Sequence, residues 1–188
     1  MLGPILWIVV ALFPVSEIVL AMVKRSRSDS MRDGDRGSLA LFWICIAVGV
    51  VMAIAARSVF HASLPWPRSI SAAVALCLLV GGLALRWVSI LTLGRFFTVD
   101  VAIQPDHMIV QHGPYRLVRH TSYTGLILAF LGLGLAYHSW LSLVLLLLPI
   151  GFATAYRVAR EEAALHASLG PAYAEYCERT RRFIPWLL

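Results

Sequence analysis

Five apolar stretches run along this chain, each near the length at which a helix crosses a lipid bilayer. Residues 2–23, 39–56 and 70–93 approach the roughly 20 residues needed for a hydrocarbon core about 30 Å thick. Residues 123–137 and 140–156 are shorter, with only His138 and Ser139 between them. At about 1.5 Å per residue these two would reach ~22–26 Å. They predict a tight antiparallel hairpin, starting near Thr121, that just crosses or stops short of the far surface. With 60% hydrophobic residues and a mean hydropathy of +0.79, the chain is far too apolar for a water-soluble domain. The expected fold is an all-α integral membrane protein. It would have about five transmembrane helices, a C-terminal helical hairpin and a cytoplasmic amphipathic helical tail.

The basic residues agree with five spans. Of 16 Lys and Arg, 13 fall in segments 24–38, 92–122 and 157–188, two fall in 57–69, and Arg86 lies inside the third span. The positive-inside rule then puts the N-terminus outside and the C-terminus in the cytoplasm. The net charge of +6 suits an anionic leaflet. It does not mark a nucleic-acid binder, because the basic residues are spread over loops and not interleaved with aromatics. Cys45 and Cys77 fall in spans and Cys177 in the tail, so no disulfide framework is implied. The first span lacks a basic leader and a small-residue cleavage site, which reads as a retained helix and not a signal peptide.

Polar groups beside membrane spans are costly, which makes them functional candidates. Glu17 and Arg86 lie within spans. Arg86, a few residues from the cytoplasmic end, is expected to snorkel; pairing with Glu17 or lining a cavity are the alternatives. The densest polar cassette is GPYRLVRHTSY at 113–123. Gly113-Pro114-Tyr115 is a turn signal. If His120 opens the next helix, His120 and Tyr123 share a face, and the helix start favours an anion. The second segment, RVAREEAALHASLGPAYAEY at 157–176, reads as a helix continuing out of the membrane. In it Arg157 and Glu161 form an i,i+4 pair. Glu161 and Glu162 could take ribose hydroxyls or a cation, and Arg157 a carboxylate or phosphate. Gly170 and Pro171 stop that helix and start another over 171–181, with Tyr173 and Tyr176 one turn apart. Arg181, Arg182, Phe183, Pro185 and Trp186 resemble an interfacial anchor. His107, His112 and His120 lack a spacing that closes a metal shell, and no phosphate-binding glycine loop or Ser-His-Asp elbow is present.

Taken together, the run from Leu93 to Gly125, the segment 157–176 and the closing Pro185-Trp186 resemble the isoprenylcysteine carboxyl methyltransferase family. Its relatives include the phospholipid N-methyltransferases. The resemblance covers roughly the C-terminal half. It implies an integral membrane enzyme using S-adenosylmethionine on a lipophilic acceptor, such as the carboxylate of an isoprenylcysteine-like lipid. Residues 1–188 would form one membrane domain, with three spans in 1–92 and the cofactor-binding, catalytic half in 93–188. The resemblance implies that His107, Met108, Ile109 and Val110 line the cofactor pocket. Tyr115, His120, Thr121, Ser122 and Tyr123 would wrap the cofactor, Glu161 would contact it, and Arg157 would face the methyl acceptor. Gln104 or Asp100 would add a contact. Thr121 stands where the family has proline, and Met108-Ile109 replaces a more usual polar-Leu pair.

Three rivals remain at this point. An NADPH-dependent reductase of sterol-reductase-like architecture would show extra basic residues for the 2′-phosphate. A phospholipid N-methyltransferase would need a base for its amine. A non-enzymatic anchor would not depend on Glu161. No metal is implied; the partners expected are the acceptor and membrane lipid. The acceptor and the oligomeric state are not set by the sequence. Gly132 and Gly134 allow close helix approach, within or between chains.

Overall fold

The computed structural model describes residues 2–23, 36–60, 62–99, 106 and 108–184. These form six α-helices: α1 (Leu2–Val23), α2 (Arg36–Val59), α3 (Arg68–Leu93), α4 (Thr121–Ala136), α5 (Trp140–Leu169) and α6 (Pro171–Arg179). Among them α1, α2, α3 and α5 are long and apolar enough to cross a membrane. The fourth, α4, has 16 residues, about 24 Å of helix. Its first turn lies beside Arg86, near the end of α3. Its last leads into a turn whose Ser139 pairs with Ser63, just before α3 begins. It therefore runs back along most of α3.

Glycine explains how closely it does so. A Cβ on Gly82 would come within 2.6 Å of Gly125 O and Ala129 N, and one on Gly125 within 2.6 Å of Gly82 O and Arg86 N. A Cβ on Gly132 would come within 2.7 Å of Ala75 O. In lipid no hydrophobic force drives one apolar helix against another, so backbone-close packing of this kind carries the association. The expected close approach at Gly132 is thus made within the chain; Gly134 meets Leu143 of α5.

On the other side α2 packs along α5. Gly49 lies against Leu146 and Pro149, and the Ser142 hydroxyl donates to Ala53 O at 2.8 Å. Leu79, Leu126, Ala129, Leu146 and Ile150 fill the common core. The hairpin turn is tight: His138 takes φ +52°, and Ser139 caps α5 by accepting from Ser142 N–H at 3.3 Å.

The helix α1 joins the bundle through a buried charge pair and an edge-on ring contact. Phe13 meets Phe130 edge-on at 4.9 Å. Arg86 does not snorkel: its Nε and Nη2 donate to the two carboxylate oxygens of Glu17, both at 2.6 Å. Its Nη1 reaches Ser122 Oγ at 3.0 Å. A charge this far into an apolar bundle is retained only with such partners, and the carboxylate one helix away outcompetes the distant head groups.

The α3–α4 contact makes a direct prediction. Gly82→Ala should cost about 1–3 kcal/mol through overpacking. The neighbouring Gly81→Ala, with open space around its Cβ, should be neutral or gain up to about 1 kcal/mol of helix propensity. Thermal unfolding in detergent compares the two, and equal midpoints would refute the close contact.

Candidate functional site

Past Tyr156, α5 continues without a break to Leu169, and its residues at intervals of four, Arg157, Glu161, Leu165 and Leu169, face a cleft. The opposing walls come from three places. The segment after α3 supplies Phe96, Phe97, Thr98 and Met108–Val110; the start of α4 supplies His120, Ser122 and Tyr123; and α6 supplies Tyr173 and Tyr176. The space is about 900 Å³ with its open mouth included.

Of the residues singled out in the sequence, Met108, Ile109, Val110, Tyr115, His120, Ser122, Tyr123, Arg157 and Glu161 all reach this cleft. His107, Asp100 and Gln104 lie outside the described residues, as do Pro185 and Trp186. Thr121 is not on the wall. It is buried, its hydroxyl turned towards Tyr115 without closing a hydrogen bond. It occupies the first position of α4, after His120 as N-cap. There the N–H has no intrahelical acceptor in any helix, so threonine replaces proline without breaking a bond.

Arg157 is buried at the crossing of three helices. Its Nε donates to Tyr123 Oη at 3.1 Å and its Nη1 to Ser38 Oγ at 3.1 Å, while Nη2 donates to Val99 O. Glu161, one turn on, bears electrostatically on the same Tyr123 hydroxyl. That hydroxyl therefore stands in the fields of both charges.

The two adjacent glutamates have different duties, which corrects the expectation that both face a ligand. Glu161 lines the cleft, whereas Glu162 is buried and collects cations. Arg119 Nε donates to its Oε1 at 3.3 Å, and His120 Nε2 lies 3.2 Å from the same oxygen. Arg182 adds Nε at 3.2 Å and Nη2 at 2.7 Å. A helix turns about 100° per residue, so neighbours cannot share a face.

Arg182 brings the chain past α6 with it. His120 N–H donates to Arg182 O at 3.0 Å, Arg119 N–H to Arg181 O at 2.8 Å, and Arg181 N–H to Leu117 O at 3.0 Å. The Thr124 hydroxyl donates to Phe183 O at 2.9 Å. The segment read as an interfacial anchor is, up to Phe183, a strap laid along the loop before α4. It docks on the site because its backbone finds a strand-like partner there.

Three tyrosines close the wall. Burial raises the hydroxyls of Tyr115 and Tyr173 well above the ordinary tyrosine range and pushes Tyr176 up to about 12, so all three stay neutral. Tyr176 donates to Tyr115 O at 2.7 Å. The Tyr173 hydroxyl is buried with no hydrogen-bond partner. A buried orphan of this kind marks a place for a ligand's polar group. Tyr173, Phe96 and Phe97 were not picked out as site residues. The Tyr173/Tyr176 spacing carried a readable signal; the two phenylalanines looked like ordinary span-end residues.

Glu162→Gln should lower stability by about 3 kcal/mol, because it leaves the nearly buried Arg119 guanidinium without its carboxylate, and should expose the strap to trypsin after Arg179 and Arg181. Glu161→Gln should do neither. Thermal unfolding and limited proteolysis in detergent check the contrast.

Known proteins bear on this arrangement. Residues 74–167 match the isoprenylcysteine carboxyl methyltransferase (ICMT) family. The chain is 28% identical over 116 residues to a probable protein-S-isoprenylcysteine O-methyltransferase of Oryza sativa subsp. indica, 61% of each chain. It is 36% identical over 107 residues to the cobalt-zinc-cadmium resistance protein CzcN of Cupriavidus metallidurans, 56% of this chain and 49% of that one. The solved structure of the eukaryotic intramembrane Ras methyltransferase ICMT superposes with a TM-score of 0.61 at 27% identity, over 78% of this chain and 52% of that chain. The chain thus spans 61% of the length of the rice relative and less of the other two. The matched region runs from within α3, through the cassette and α4, to the part of α5 that carries Arg157 and Glu161, and the chain belongs to the isoprenylcysteine carboxyl methyltransferase family of integral membrane proteins.

Proposed function

We propose that this protein is a membrane methyltransferase that takes S-adenosylmethionine into the cleft and methylates the carboxylate of a lipophilic acceptor, an isoprenylcysteine-like or other lipid. The observation that carries this reading is the convergence of His120, Tyr123, Arg157 and Glu161 on one aromatic-walled cleft, within the region that matches the family. The residues fit such a donor. Glu161 offers acceptor oxygens for hydroxyls or a cationic group, and Tyr115 and Tyr123 offer ring faces to a sulfonium. The orphan Tyr173 hydroxyl offers one more polar contact.

When bound, such a donor would supply a methyl group on a positive sulfur, which the acceptor's carboxylate would take by forming an O–C bond as the C–S bond broke with its electrons passing to sulfur, giving an ester and a thioether with no proton moved. What the chain must do is hold the partners in line and keep water out. A second, smaller chamber adjoins the cleft, walled in part by Leu20, Leu39, Phe42, Trp43 and Leu126. Arg157, Ser122 and Tyr123 belong to both spaces. Arg157 is thus suited to holding the acceptor's carboxylate at the junction, with its tail directed into the second chamber. The distribution of Lys and Arg supports a cytoplasmic cleft.

S-adenosylhomocysteine should bind the detergent-purified protein with micromolar affinity by calorimetry, and Glu161→Gln should weaken it roughly tenfold or more. No binding to the native protein would sink the reading. Arg157→Lys should leave that binding intact and lower kcat/KM for a prenylated thioether carboxylate by roughly 10–100-fold, because a lysine cannot reproduce the planar fork.

A further inference from the structure

The second chamber is not wholly apolar. Glu17 and Arg86 stand on its wall, and their hydrogen-bonding capacity is only partly used. A guanidinium has five N–H groups. In Arg86 they make two bonds to Glu17 and two contacts to Ser122 Oγ and O, at 3.0 and 3.3 Å. One N–H remains, and each Glu17 oxygen keeps a lone pair. A hydrocarbon tail laid over this wall would strip water from those groups and return nothing, whereas a hydroxyl or amide could both donate and accept there. A second charge on the ligand is not called for, since the pair is balanced.

We propose that the Glu17–Arg86 pair is a specificity determinant of the acceptor chamber, selecting lipid-like carboxylates whose tail carries a neutral hydrogen-bonding group over wholly hydrocarbon tails. The inference rests on reading that chamber as the acceptor's. Glu17 belongs to α1, outside residues 74–167, so the selection is made jointly by the family-matched region and a helix beyond it. Arg86 also contacts Ser122, which faces the donor cleft, and the pair is therefore built into the junction of the two spaces.

The test is calorimetric titration of the detergent-purified full chain, with and without saturating S-adenosylhomocysteine. The probes are dodecanoate and hydroxydodecanoates bearing the hydroxyl at mid-chain or at the end. The native protein should bind at least one hydroxydodecanoate roughly tenfold or more tightly than dodecanoate. The double variant Glu17→Leu/Arg86→Leu removes both charges together, a replacement that buried pairs commonly tolerate, and should lose or reverse the preference. Equal or tighter binding of dodecanoate by the native protein overturns the proposal without any variant, as does binding of none of the probes. A preference that survives in a folded double variant overturns it too. Failure of S-adenosylhomocysteine to bind would instead strike the methyltransferase reading, while the titrations run without it still decide the tail preference.

Discussion

The contact of α3 with α4, backbone against backbone at Gly82, Gly125 and Gly132, is what the site depends on. Lipid offers no hydrophobic drive to hold two apolar helices together, so the association must come from packing distance and from polar contacts. Here both act at one place: where Gly125 presses on Arg86, Ser122 receives the Arg86 guanidinium. The first turn of α4 is thereby positioned, and His120 with it. From His120 the order passes to Glu162, and from Glu162 through Arg182 to the strap.

Each wall of the cleft is made by residues whose near neighbours do something else. Glu161 faces the cavity while Glu162 ties down a loop, a helix and the strap. Ser122 and Tyr123 serve two chambers, yet Thr121 beside them is packed away. Such division is a property of the helix, whose successive side chains point in different directions. It lets a short polar cassette provide both contact and support without an extra element. The tyrosines extend the economy, because burial keeps them neutral and lets them offer hydroxyls without bringing further charge into an apolar surrounding.

Much of this was legible in the chain. Spans at 2–23, 39–56 and 70–93 lie within α1, α2 and α3, because an apolar run of that length has few other solutions. The hairpin and its continuation past Tyr156 were readable for the same reason, and Gly170-Pro171 marked the break before α6. What was not legible was pairing at a distance. Arg86 looked able to snorkel because its position along α3 is visible in one dimension, whereas Glu17 on the facing wall is not. Likewise Arg182 and Phe183 resembled an anchor because an Arg/aromatic end is the ordinary interfacial pattern. The backbone match of Arg181 and Arg182 with Leu117, Arg119 and His120 has no sequence signature. Phe96 and Phe97 were hidden for a simpler reason: their side chains are as apolar as the span they follow.

The unbroken course of α5 has a consequence for depth. From Trp140, beside the turn, to Arg157 is about 26 Å of helix, not far short of the roughly 30 Å hydrocarbon layer, and Glu161 stands about 6 Å further along the same rod. For the methyl transfer proposed above, the rod would act as a height gauge, setting the cleft at a fixed distance from the turn. An acceptor whose carboxylate already rode at that level would need only to drift sideways in the plane, with no work spent lifting its tail into water. Bilayer thickness would then become a variable of the proposed reaction, since a thicker leaflet would raise the acceptor past the gauge and a thinner one would leave it short.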